Sequence, residues 1–202
     1  MHKQKKVKTK WEDPSGKMPG KRNRTILTNE QFFFVTTTIL EFKHVFTNDE
    51  RCQILINNIK HYQKVFDFII LAYVIMPSHF HWIVKVNPAK GTISDVMRDI
   101  KKYSAWDLLE QLEKEKSVLL ETFILNKSGK QKRQLWMHRF DDEVIRNNKM
   151  FWVKLKYIHD NPVKAGLVSV PEKYKYSSAR NYINNDHSVI NIDTNWGGVE
   201  II

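Results

Sequence analysis

The chain of 202 residues is long enough for one domain with tails, and its 42% hydrophobic content can bury a core, which excludes a wholly disordered or fibrous protein. Its 33 Lys and Arg against 22 Asp and Glu give a net charge of +11, which favours an anionic partner such as nucleic acid. The single cysteine excludes an internal disulfide, and the lack of a membrane-length apolar run or signal-peptide core predicts a cytoplasmic protein with no membrane partner.

Most of the charge lies in the first 24 residues. They carry nine Lys and Arg against two acidic residues, or +7 of the total, and have almost no apolar content. Residues 1–24 therefore predict a flexible basic arm that binds phosphate, with Arg22 and Arg24 as candidate DNA contacts; a solubilising tail is the alternative. Residues 25–183 are predicted to form the folded domain. Residues 184–202, which lack Lys and Arg, are expected to form a loosely ordered strap.

The first half of the domain predicts strands around one helix. An aromatic and β-branched run at 32–40 indicates a strand. The sequence Thr47-Asn48-Asp49-Glu50 has the pattern of a capping box with Thr47 as the N-cap, which begins a helix. The apolar run 68–76 is typical of a central strand covered on both faces, and 79–86 is a further strand. Because only Pro77-Ser78 separates these two strands, they are expected to form a hairpin.

The second half predicts two helices and a further strand region. The helix over 94–115 presents Arg98, Lys101 and Lys102 on a face of their own. Residues 120–137 predict two short strands around a basic tip that contains Lys130, and the last helix spans 148–160. The order strand, helix, strand, strand, helix, strand, helix matches a ferredoxin-like α+β sandwich, a mainly antiparallel sheet with helices on one face. The predicted buried stripe of the helix over 94–115 comprises Ile93, Val96, Met97, Ile100 and Leu108.

Two histidines are the sharpest chemical feature. Side chains two apart in a strand leave the same face, so His79 and His81 can converge on one metal ion, while Phe80 points the other way. A bare pair of this kind lies more often on a solvated strand face, and it needs a third ligand from elsewhere. The pair alone therefore leaves both interpretations open.

Two sequence stretches resemble a known family when taken together. Residues 75–84 read IMPSHFHWIV, and residues 156–168 read KYIHDNPVKAGLV. The pair resembles the single-tyrosine HUH transposases of insertion sequences, most of all the REP-associated tyrosine transposases, which typically show "MPNHVH" and "YIHNNPVKAGLV". The similarity covers roughly residues 24–182.

The resemblance implies a site and an activity. His79 and His81 would bind a divalent metal, Mg²⁺ or Mn²⁺, with Asn161 as the third ligand, and Tyr157 would be the nucleophile. The implied reaction is cleavage and transfer of single-stranded or hairpin DNA through a 5′-phosphotyrosine, by a monomer or a homodimer. Tyr157 and Asn161 are i and i+4 and so share a helical face, although Pro162 is expected to kink or end the helix there.

Candidate DNA contacts combine basic and aromatic side chains. Trp136 and Phe140 beside Arg139, and Tyr103 beside Lys101, are expected to stack on bases. Three other tryptophans, Trp82, Trp106 and Trp152, are expected in the core. Lys154 and Lys156 are candidates to assist ionisation of the tyrosine. The full set of predicted DNA contacts is Arg22, Arg24, Arg98, Lys101, Lys102, Lys130, Arg139 and Lys154.

The chain also departs from the family, and other functions stay open. Glu143 stands where a histidine is common, and the stretch 113–133 is longer than in minimal relatives. One alternative is a domesticated, catalytically weak module that binds nucleic-acid hairpins. Another is a metallohydrolase in which Asp142 or Glu143 completes the metal site and water is the nucleophile. His159, two residues beyond the tyrosine, is expected on the other side of its helix.

Overall fold

The computed structural model describes residues 31–124 and 133–195. The basic arm and the tip with Lys130 lie outside the described residues. None of the described helices is long and apolar enough to cross a membrane. The elements in chain order are β1 (Phe32–Thr38), α1 (Asp49–Phe66), β2 (Ile69–Met76), β3 (His79–Lys85), α2 (Ile93–Lys114), β4 (Asp141–Val144), α3 (Asn148–Lys164) and α4 (Ala179–Asn184), with short 3-10 turns at Leu40–Phe42, Val118–Phe123 and Pro171–Lys173.

The four strands form one antiparallel sheet in the order β2-β3-β1-β4. β2 and β3 form the expected hairpin around Pro77-Ser78. The turn is tied to the rest of the sheet, because the backbone N–H of Ile39 donates to the Ser78 carbonyl at 2.8 Å. This antiparallel α+β architecture confirms the predicted fold class.

Helices cover both faces of the sheet. α1 and α2 pack together on the face that carries Phe33, Val35 and Trp82, whereas the sequence predicted that all the helices would lie on one face. α3 lies on the opposite face, where Leu155 and Ile158 pack among side chains of β1, β2 and β3. The reason is that β2 and β3 are buried on both sides, and each apolar face must be removed from water.

Three local predictions are corrected. The N-cap of α1 is Asn48, whose side chain accepts from the Arg51 N–H at 2.9 Å, and not Thr47. The described ends of 120–137 form a 3-10 turn and two isolated bridges, one between Ile124 and Arg133 and one between Trp136 and Ile39, rather than two strands. The fourth strand is instead β4, which pairs with β1. Both Thr and Asn are good caps, so sequence alone does not choose between neighbours.

α3 continues through Pro162 to Lys164 instead of ending before it. Its C-terminus closes in a Schellman arrangement, in which Gly166 N–H donates to Val163 and Leu167 N–H donates to Pro162. Gly166 has φ +71°, a left-handed conformation that a Cβ would strain. Asn161 therefore lies inside α3, in the same continuous helix as Tyr157.

The C-terminal part of the domain covers the outer edge of β2. Ile75 N–H donates to the Tyr176 carbonyl at 2.9 Å, and Ser177 forms a bridge with Val74. The segment predicted as a loosely ordered strap packs on the core in its described part, up to residue 195, through buried Ile190 and Ile192. This segment is mainly polar, but it packs on the core because these two apolar side chains are buried there.

The tryptophans do not follow the prediction, apart from buried Trp82. Trp106 and Trp152, expected in the core, are 58% and 49% exposed. Trp136, expected to stack on DNA, is 4% exposed and donates from Nε1 to the Ser104 hydroxyl at 3.1 Å. Burial of an aromatic ring depends on tertiary neighbours, which a basic flanking sequence does not reveal.

Candidate active site

His79 and His81 project from β3 onto the face that α3 covers. The register pairs His81 with Thr36 and His79 with Thr38 across β1. The two imidazole ring centroids are 4.7 Å apart. The strand alternation therefore brings the two histidines together, as the sequence predicts.

Neighbouring side chains fix the orientation of His81. Its Nδ1 lies 2.8 Å from the Thr36 hydroxyl oxygen, and its ring stacks on Phe34 with centroids 5.7 Å apart. The residue is only 4% exposed, and burial lowers its pKa to about 3, so the imidazole is neutral at pH 7. Burial likewise lowers the pKa of His79, to about 4. Both histidines are in the form that binds metals.

Tyr157 faces the histidines from α3. Its ring centroid is 5.3 Å from that of His81 and 5.8 Å from that of Phe34. Burial raises the pKa of the phenol, and a side-chain hydrogen bond with Asn161 opposes that rise. The Asn161 amide also donates to the Tyr157 carbonyl at 3.0 Å. One chain thus brings Tyr157, Asn161 and the two histidines to one face of the sheet.

The residues present are compatible with a divalent metal. His81 Nε2 is buried and has no hydrogen-bond partner within the described residues, which is costly unless a ligand occupies it. A hydroxyl hydrogen-bonded to one ring nitrogen of a histidine, as Thr36 is to Nδ1, fixes the ring so that the other nitrogen can point at a metal. Residues 31–124 and 133–195 contain no cluster of three His, Cys, Asp or Glu suited to a metal. Within these residues, a third protein ligand would be of another type, such as the Asn161 side-chain oxygen.

Cations flank this site. Lys154 Nζ lies 4.7 Å from the Phe34 ring centroid and forms an ion pair of 2.5 Å with Glu143. Lys164 Nζ lies 5.9 Å from the Tyr157 ring centroid. Lys156, in contrast, is largely exposed and pairs with Asp160 at 2.7 Å. Lys164 and Thr36 were missed from the sequence, although Lys164 is seven residues, or two helical turns, beyond the tyrosine.

The predicted DNA contacts do not form one surface. Arg98, Lys101 and Lys102 belong to α2, which packs on the opposite face of the sheet from Tyr157. Lys101 donates to the carbonyls of Met137 and His138, and burial lowers its pKa to about 8. It holds the loop before β4, whose Arg139 is exposed.

Arg98 and Lys102 differ in how available their charges are. Arg98 is paired with Asp95 and Asp99. Lys102 is exposed and lies 4.9 Å from the ring centroids of both Tyr103 and Trp106. Arg22, Arg24 and Lys130 lie outside the described residues.

Neither carboxylate proposed for a metallohydrolase completes a three-residue metal cluster with the two histidines within residues 31–124 and 133–195. Asp142 pairs with Val35, whose side chain is in the core under α1 and α2, so Asp142 points away from the histidine face. Glu143 pairs with Phe34 and is engaged by Lys154. The described geometry therefore gives this alternative no support.

The structure thus contains a candidate tyrosine–histidine site. A helix on the histidine face of the antiparallel sheet places a tyrosine beside two histidines of one strand. Residues 31–161 match the family model described as "Transposase IS200 like", so the chain belongs to the IS200-like transposase family.

Two relatives agree with this family. A Haemophilus influenzae protein named as a REP-associated tyrosine transposase is 28% identical over 113 residues, which are 56% of this chain and 60% of that protein. The chain thus spans less than two thirds of that relative. A solved REP-associated tyrosine transposase bound to a REP hairpin has a TM-score of 0.58 at 22% identity, with 86% of this chain and 88% of that chain covered. The second match supports the fold.

Proposed function

We propose that the protein cleaves single-stranded or hairpin DNA and transfers the strand through a 5′-phosphotyrosine on Tyr157, as a step of DNA transposition. His79, His81 and Asn161 would hold a divalent metal, Mg²⁺ or Mn²⁺. The observation that carries the proposal is the buried, unpartnered Nε2 of His81 on the same face as Tyr157, with ring centroids 5.3 Å apart. The matched solved structure, a REP-associated tyrosine transposase bound to a REP hairpin, supports hairpin DNA as the substrate class.

The reaction is a transesterification. The Tyr157 oxygen forms a bond to phosphorus while the bond from phosphorus to the 3′ oxygen breaks, and that oxygen leaves with a proton as a 3′-hydroxyl. The phosphotyrosine keeps the energy of the phosphodiester, so a second 3′-hydroxyl can reverse the step without ATP. When bound, the metal supplies positive charge to a non-bridging phosphate oxygen and orients the scissile bond.

Side chains around Tyr157 position the phenol and favour the loss of its proton. Burial raises the Tyr157 pKa, so the group is a phenol at neutral pH and must lose its proton as it attacks. The Asn161 hydrogen bond favours the phenolate. Lys164, whose Nζ also lies 3.6 Å from an Asp160 carboxylate oxygen, is the cation over the ring. Lys154 lies beside Phe34, where it can meet the negative charge of a phosphate.

The test uses tiled single-stranded oligonucleotides from both strands of the DNA that flanks the gene, each incubated with Mg²⁺ or Mn²⁺. A label at the 3′ end should move to the mass of the protein on a denaturing gel, whereas a 5′ label should be released. Tyr157→Phe should abolish the adduct and keep binding, because only the hydroxyl is removed. Tyr62→Phe, the same change at a buried position of α1 on the opposite face of the sheet, is the control and should keep the adduct.

His81→Ala should lose metal-dependent cleavage and keep most of its DNA affinity, because phosphate contacts dominate binding. Binding without any adduct in either metal would favour the hairpin-binding module over the enzyme. An adduct that survives in Tyr157→Phe would assign the nucleophile to another residue.

A further inference from the structure

His159 connects the helix that carries the nucleophile to the edge of the sheet. It lies two residues after Tyr157, on the other side of α3, and its Nε2 is 2.9 Å from the Ser178 hydroxyl oxygen. Its ring also packs against Tyr182, with centroids 5.4 Å apart. The contact therefore links α3 to the segment that follows it in the chain.

Ser178 is a fixed partner because it is bound to β2 twice. Its hydroxyl oxygen accepts from the Tyr73 N–H at 3.0 Å, and its own N–H donates to the Tyr73 carbonyl at 2.9 Å. Ser178 is fully buried. Since the hydroxyl oxygen already accepts from the backbone, its hydrogen is available to donate to His159 Nε2.

The segment around Ser178 is held in the same way. The hydroxyl of Tyr174 donates to the Ile75 carbonyl, and that of Tyr182 donates to the Leu71 carbonyl, both at 2.9 Å. We call residues 174–182 the edge brace. The edge brace is thus hydrogen-bonded along the outer side of β2, and His159 attaches α3 to it.

We propose that His159 is a positioning residue for Tyr157, which fixes the rotation and height of α3 through Ser178 and so holds the tyrosine ring against His81. The inference rests on the proposed function. The apolar contacts of Leu155 and Ile158 bind α3 to the sheet but are non-directional. A hydrogen bond to a buried serine is directional and so fixes the position of α3. In-line attack on phosphorus depends on accurate placement of the attacking oxygen.

The test compares His159→Leu, which keeps an apolar side chain against Tyr182, with His159→Gln, whose amide oxygen can accept from Ser178. The two readouts are the single-turnover rate of adduct formation at saturating oligonucleotide and the dissociation constant of that oligonucleotide. The probe is the tiled oligonucleotide that gives the wild-type adduct. The control is Asn58→Ala, which removes a hydrogen bond to Asp107 on the other face of the sheet. It serves as a control for the loss of folding stability that His159→Leu causes.

His159→Leu should lower the single-turnover rate about 10- to 100-fold, the cost of a nucleophile displaced by about 1 Å, with DNA affinity unchanged. His159→Gln should restore most of the rate, and Asn58→Ala should lower thermal stability without lowering the rate. Equal rates in His159→Leu and Asn58→Ala would overturn the positioning role, as would a loss that appears in affinity and not in rate. If Tyr157→Phe abolishes the adduct while His159→Leu does not slow it, only this inference fails and the proposed function stands.

Discussion

The hydrogen bond between Thr36 and His81 allows a direct test of the proposed metal site. Thr36→Val keeps the shape of the side chain but removes the oxygen that lies 2.8 Å from His81 Nδ1. Hydrogen bonds that orient a metal-binding histidine affect metal affinity by about 10- to 100-fold, or about 1.4 to 2.7 kcal/mol. The concentration of Mn²⁺ needed for half-maximal adduct formation should rise by that factor, while oligonucleotide affinity without metal should not change.

Thr37 supplies the matched control. It is adjacent in β1 and buried, but its side chain points to the opposite face of the sheet, and its hydroxyl has no hydrogen-bond partner within the described residues. Thr37→Val should therefore leave the metal requirement unchanged and be neutral or stabilising, since it removes an unsatisfied buried hydroxyl. Thr36→Ser, which restores the oxygen, should recover most of the metal affinity.

The result that would refute this reasoning is an equal metal requirement in the wild type, Thr36→Val and Thr37→Val. It would mean that His81 does not bind the metal through a ring nitrogen oriented by Thr36. Thermal unfolding of the metal-free variants separates this from a folding defect. The lost bond should cost Thr36→Val about 1 to 3 kcal/mol of unfolding free energy.

Two further predictions concern charge. Glu143→Gln releases Lys154 from its ion pair and should tighten oligonucleotide binding about two- to fivefold at low salt. This factor corresponds to the free energy that a partly exposed ion pair usually contributes. Glu113→Gln, which removes the same charge from an exposed pair with Arg133, should have a smaller effect, and equal effects would show that only net charge matters. Deletion of residues 1–24 should lower the slope of log affinity against log salt by about two to four units, at about 0.7 per phosphate, and an unchanged slope would make the arm a solubilising tail. Filter binding across a salt series measures all three variants.

The local geometry of the candidate site could be predicted from the sequence. The period of a strand places His79 and His81 on one face, and the period of a helix places Tyr157 and Asn161 together. The contacts around these residues were not predictable, because they join segments distant in the chain. Glu143 reaches Lys154, and His159 reaches Ser178, across elements whose relative positions no local pattern specifies.

The position of β2 shows why burial patterns are ambiguous. Its continuous apolar run predicts a central strand, yet β2 lies at the edge of the sheet, next to β3 alone among the four strands. Both of its faces are nonetheless buried, one under α1 and α2 and the other under α3. The edge brace occupies its outer side, so its backbone groups are also shielded there. A continuous apolar run therefore indicates that both faces of a strand are buried, but it does not indicate where the strand lies in the sheet.

The same requirement for coverage produces the site. Because the face with His79 and His81 also carries apolar side chains such as Ile83 and Val74, a helix must pack there. That helix buries Leu155 and Ile158 against the sheet. Tyr157 lies between them in sequence, and its side chain contacts His81. His159 then falls on the side that meets the edge brace. A helix needed to complete the core thus also brings Tyr157 to the histidines, and for that reason the accuracy of the proposed site depends on how firmly α3 is held to the sheet.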